Sequence, residues 1–141
     1  MANVNHSTLS DPYLHEPKGV ASASSGDVYL ANGSGSGTWT SRQSMLTVQF
    51  PDISSASNLY VPIPYAGTIT KIQSALTAAI SGGDAVFTIT NSSGSSMGTL
   101  TITQSGSAAG DVDILTPSSN NTVTAGSFIK IACDGGPSSH V

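Results

Sequence analysis

Gly94-Ser95-Ser96-Met97-Gly98 has the G-x-S-x-G spacing that presents a serine nucleophile, and Asp111, Asp113 and His140 follow in the chain order of a hydrolase triad. In that chemistry a histidine takes the serine proton while a carboxylate holds the imidazole in its working tautomer. The serine must sit on a sharp strand-to-helix turn beneath an oxyanion hole. Here the next residues, Thr99-Leu100-Thr101-Ile102-Thr103, alternate strictly and predict a strand. The preceding Asn91-Ser92-Ser93-Gly94 reads as a hairpin loop, and loops built of Gly and Ser produce this spacing by composition alone. His6 and His140 lie near chain ends, where a fixed general-base position is hard to hold. The chain therefore reads as non-enzymatic.

Metal and phosphate chemistry fare similarly. There is no HExxH motif, no EF-hand loop and no pair of histidines at ligand spacing. Asp111-Val112-Asp113 places two carboxylates on one strand face, a weak calcium pair for which a solvated strand is the preferred reading. Asp134-Gly135-Gly136 is a turn formula, and Gly33-Ser34-Gly35-Ser36-Gly37 lacks the lysine and the helix of a phosphate loop. The single Cys133 supports neither an internal disulfide nor a zinc site. Asn5, Asn32, Asn91 and Asn120 open N-x-Ser/Thr triplets, which a chain this rich in hydroxyl residues forms by chance. No cofactor is expected.

Only 9% of the 141 residues are charged, whereas an average soluble domain has roughly 25%. Ser and Thr, 25 and 15 residues, take the place of ions at the surface. A net charge of −4 with Lys18, Arg42, Lys71 and Lys130 scattered along the chain excludes the clustered basic footprint of a nucleic-acid binder. Nor is there a polybasic segment for an anionic membrane or an apolar run long enough to span one. The opening Met1-Ala2-Asn3-Val4-Asn5-His6 lacks the basic start and apolar stretch of a signal peptide, so synthesis in a cytoplasm is expected.

The elements that would position any site change character near Arg42. Residues 1–43 are sparsely apolar and heavily punctuated, and read as an extended N-terminal arm. Residues 44–141 form a series of short alternating runs, and read as an all-β antiparallel β-sandwich of jelly-roll type. Leu46, Val48 and Phe50 predict a first strand ended by Pro51, and Leu59–Ile63 an edge or bend because of Pro62 and Pro64. The stretch 69–80 fits a helical period about as well, but its neighbours favour a strand bulged near Lys71. The expected core comprises Ile69, Ile72, Phe87, Ile89, Leu100, Ile102, Val112, Ile114, Ile129 and Ile131.

Within the arm, Tyr13-Leu14-His15-Glu16-Pro17-Lys18-Gly19-Val20 is an extended, proline-bounded segment. Val28-Tyr29-Leu30-Ala31 and Thr38-Trp39-Thr40 flank the Gly/Ser tract and predict a small hairpin. Such a hairpin is marginal alone in water, so its anchoring residues are expected to dock on another surface. The expected interface is Tyr13, Leu14, His15, Pro17, Val20, Tyr29, Leu30 and Trp39, with folding back of Trp39 onto the chain's own core as the alternative.

The run from Leu9 to Ala23, followed by Gly26-Asp27-Val28-Tyr29-Leu30-Ala31-Asn32-Gly33-Ser34-Gly35-Ser36-Gly37-Thr38-Trp39, resembles the N-terminal segment of small virion proteins of tailed bacteriophages, the capsid decoration (cement) and head-fibre proteins. Ala66-Gly67-Thr68-Ile69, Gly83-Asp84-Ala85, Gly110-Asp111-Val112 and Ala125-Gly126-Ser127-Phe128-Ile129 are similar to the β-sandwich modules that recur in such proteins. The resemblance implies a homotrimer on the outer capsid surface of the virion, its arm gripping the major capsid protein beside neighbouring decoration subunits. The rival expectations are a head-fibre or tail-fibre adhesin binding host glycans, a small hydrolase using Ser96, and an assembly or portal-proximal protein.

Overall fold

A computed structural model describes residues 22–50 and 52–136. They fall into two compact units, one within Met1–Thr47 and the other within Val48–Val141. Every paired strand is antiparallel, and there is no α-helix among the described residues.

The first unit contains a hairpin of β1 (Asp27–Ala31) and β2 (Gly37–Ser41). The expected pairing of Val28–Ala31 with Thr38–Thr40 is present, with Tyr29 directly opposite Trp39. The Asn32–Ser36 loop is tied by its first residue: Asn32 N donates to Ser36 O at 2.8 Å, and Asn32 Oδ1 accepts from Ser34 N and Ser36 N. Gly37 must be glycine, because a Cβ there would collide with the Leu30 carbonyl. None of residues 22–47 is buried.

The second unit is built on a four-stranded sheet. Its members are β3 (Ser57–Pro62), β6 (Ala85–Asn91), β7 (Ser96–Ile102) and β10 (Phe128–Cys133), in the order β3-β10-β6-β7. Period-two alternation gives each strand one apolar face, with Phe87 and Ile89 in register with Leu100 and Gly98 on one side and Cys133 and Ile131 on the other. β3 lies at the sheet edge, which suits its terminal Pro62. Asn91 closes the β6–β7 hairpin with the same side-chain bonds as Asn32, accepting from Ser93 N and Ser95 N.

The remaining strands are β4 (Gly67–Thr68), β5 (Ile72–Gln73), β8 (Ile114–Leu115) and β9 (Thr122–Val123). β4 pairs with β9 and β5 with β8, and bonds from Ile69 N to Asn121 O, Ser74 N to Asp113 O and Leu76 N to Asp111 O extend both into one irregular ribbon. The stretch 69–80 is thus neither a helix nor a continuous strand. Residues 69–71 face residues 116–121, so the surplus chain lies on the partner side, where Asn121 Nδ2 donates to Ile69 O and Pro117 O.

Sheet and ribbon share one core: Phe87, Ile89, Leu100, Ile102, Ile129 and Cys133 meet Leu76, Ile80 and Val123, with Ile69, Ile72, Leu115 and Ile131 partly buried against them. Two core expectations fail. Val112 and Ile114 are 52% and 56% exposed, because Ile72 and Leu115 take the inward parity of the β5–β8 ladder. The strand expected at Leu46–Phe50 also does not form. Those residues have no ladder partner, and Leu46 and Val48 are exposed while Phe50 packs edge-on against Phe87 at 5.2 Å.

Candidate interaction surface

Tyr29 and Trp39 are brought together on one face of the hairpin and Leu30 lies on the other; Tyr13, Leu14, His15, Pro17 and Val20 lie outside the described residues. The Tyr29 and Trp39 rings meet in a T-shaped contact, centroids 5.3 Å apart at 61°. Such a cross-strand pair is worth about 0.5–1.5 kcal/mol beyond its area, and here it clamps the two strands of the ribbon together. Strand alternation turns Val28 and Leu30 to the opposite face, where they are 39% and 57% exposed. With Thr40, Ser41 and Gln43 these two line a groove of about 260 Å³. Each face of the hairpin thus carries apolar side chains, Tyr29 and Trp39 half-buried on one and Val28 and Leu30 exposed on the other, with no buried layer among the described residues of this unit.

The four-stranded sheet carries a further aromatic pair on its other face. Tyr60 of β3 and Phe128 of β10 meet edge-to-face at 5.3 Å on the side of the sheet away from Ile129 and Val61. Tyr60 and Tyr65 are both exposed, so neither belongs to the core. The signal for Phe128 was its parity, opposite to that of Ile129 and Ile131.

The residues with chemical potential are otherwise engaged. Ser96 opens β7 in a strand–loop–strand hairpin, and its Oγ accepts from Gly98 N at 3.2 Å while its carbonyl accepts from Asn120 Nδ2 at 2.8 Å. Asp111 Oδ2 accepts from Ala108 N at 2.7 Å, and His140 lies outside the described residues. No group of three His, Cys, Asp or Glu that could hold a metal occurs among the described residues, and no helix there is long and apolar enough to cross a membrane. Cys133 is buried, with Sγ donating to Ile53 O at 3.6 Å. Burial pushes its thiol above the ordinary 9.0, a backbone bond from Gly135 pulls it down, and Asp134 and Asp52 push it further up.

No family model, curated protein or solved structure matches the chain.

Proposed function

We propose that the chain is a non-enzymatic structural protein of a tailed-phage virion, decorating the outside of the mature capsid and bridging neighbouring major capsid proteins. The observation that carries this reading is the hairpin with Tyr29 against Trp39, in a stretch of which no described residue is buried. A ribbon of marginal intrinsic stability that displays aromatic anchors gains order by docking. The second unit, with sheet and ribbon sharing a core, is read as a β-sandwich that forms a homotrimer beside neighbouring decoration subunits.

Binding to the mature lattice alone would stabilise it by mass action, in proportion to RT ln(1 + [L]/Kd). Three linked arms would make each further contact intramolecular. The chain would be made in the host bacterial cytoplasm and end on the outer capsid surface. The test is cosedimentation of the full-length chain with phage heads that lack it. Trp39→Ala should abolish retention without altering the melting of the chain, and undiminished retention would remove the hairpin from this role.

A specific observation favours the second reading, a head-fibre or tail-fibre adhesin. Tyr60, Tyr65 and Phe128 are exposed, and aromatic faces of this kind stack on sugar rings. Cell binding that free sugar competes away and Tyr60→Ala abolishes would select the adhesin over the capsid protein.

A further inference from the structure

We propose that Asn32 is a site of spontaneous deamidation, for which the β1–β2 loop supplies its own oxyanion cradle. This inference is independent of any docking role.

Asn32 Oδ1 accepts from Ser34 N at 2.8 Å and from Ser36 N at 3.2 Å. Two backbone N–H groups converging on one carbonyl oxygen are the arrangement that stabilises a tetrahedral oxyanion. Closing the side chain onto the amide two residues ahead folds the carboxamide over the intervening peptide, which carries the nucleophile, Gly33 N. Gly33 offers no side chain to obstruct the approach, has φ +75°, and has nothing within 4 Å of the place a Cβ would take. Asn32 is exposed, so water and base reach it.

Solvent base removes the Gly33 N–H proton, and the nitrogen attacks Asn32 Cγ. The new N–Cγ bond forms as the charge moves onto Oδ1, between the two N–H donors. Collapse of the oxyanion breaks the Cγ–Nδ2 bond, and Nδ2 leaves as ammonia with a proton from water. Water then opens the succinimide at either carbonyl, giving aspartate or isoaspartate, with nothing oxidised or reduced. Aspartate keeps both acceptor bonds and adds a negative charge. Isoaspartate inserts a methylene into the main chain and displaces Asn32 N from Ser36 O, the bond that closes the hairpin at 2.8 Å.

The chain carries its own control. Asn91 Oδ1 accepts from Ser93 N at 3.1 Å and Ser95 N at 3.0 Å, an equivalent cradle. The following residue there is Ser92, however, whose side chain crowds the attacking nitrogen, and Asn91 Nδ2 donates to Asn120 O at 3.3 Å.

The full-length chain is incubated at mildly alkaline pH, folded and in guanidinium, and mapped by peptide mass spectrometry with chromatographic separation of the isoaspartyl form. Asn32 should convert at least severalfold faster than Asn91 in the folded chain, and faster folded than unfolded. Ser34→Pro, which removes the 2.8 Å donor and keeps Asn32-Gly33, should bring the folded rate down toward the unfolded one. Conversion of Asn32 no faster than that of Asn91, or no faster folded than unfolded, would overturn the proposal.

Discussion

Gly98 of β7 lies directly beneath Leu115 of β8: a Cβ on Gly98 would stand 2.8 Å from Leu115 Cδ1. Its φ of +138° belongs to a bulge, where the register shifts between Ile89 and Thr90 and Met97 is tucked into the core. Gly98→Ala combines backbone strain with overpacking, so we expect a loss of about 1–3 kcal/mol in urea unfolding. Leu115→Ala in the same background relieves the clash but leaves the strain, so it should recover part of that loss.

Ile53 and Ile114 invert the order that hydrophobicity alone suggests. Ile53 sits in a loop yet is 2% exposed, whereas Ile114 sits in a strand and is 56% exposed. Ile53→Ala should cost about 2–5 kcal/mol by emptying a packed site. Ile114→Ala should stay within about 0.5 kcal/mol. Comparable losses for the two in the same denaturation series would refute this assignment of the core.

Removal of residues 1–43 should leave the second unit folded and cooperative, because among the described residues every member of the buried cluster lies within Ile53–Cys133. The same truncation should lose retention on phage heads. Binding by the intact chain should vary little between low and moderate salt, since apolar anchors and backbone pairing are screened far less than ion pairs. A steep decline with salt would assign the affinity to charge instead.

Cys133 links stability to alkaline pH. Its folded thiol lies above the ordinary 9.0 because burial disfavours the thiolate. As pH rises past the unfolded thiol's value, the unfolded chain loses its proton first, so the contribution present below that pH declines until the folded thiol ionises. Stability of the wild type should therefore decrease more steeply than that of Cys133→Ala once the pH passes the ordinary thiol value of 9.0. Parallel pH curves for the two would refute the linkage, and an aromatic disulfide reagent should react slowly in the folded state.

The strands most legible in the sequence were those whose pairing partners are close in the chain or whose alternation is long. β6, β7 and β10 declare themselves through Phe87/Ile89, Leu100/Ile102 and Ile129/Ile131/Cys133, and the two Asn-headed loops mark their hairpins. Leu46, Val48 and Phe50 carry the same alternation but form no strand, because a period of two specifies faces and not a partner. Two-residue strands such as β8 offer too few positions to reveal which parity points inward, hence the misplacement of Val112 and Ile114. Ile53, Leu76 and Ile80 enter the core from irregular segments, where periodicity has no meaning. On the candidate surface, the aromatic composition of the hairpin was readable, whereas the half-burial of Tyr29 and Trp39 and the exposure of Val28 and Leu30 depend on what packs nearby.

β3 ends the four-stranded sheet with an outer row of peptide groups that no other strand among the described residues pairs, and its residues, Ser57-Asn58-Leu59-Tyr60-Val61-Pro62, carry no charge. Soluble proteins commonly defend such a border with lysines, whose mutual repulsion discourages strand-on-strand growth between copies. Here Pro62 withdraws one donor from the border and Pro64 follows just beyond it. Where copies crowd together, a pyrrolidine ring thus does at the end of β3 what ionic repulsion does elsewhere, and restoring an N–H at residue 62 would lengthen the border open to strand-on-strand pairing.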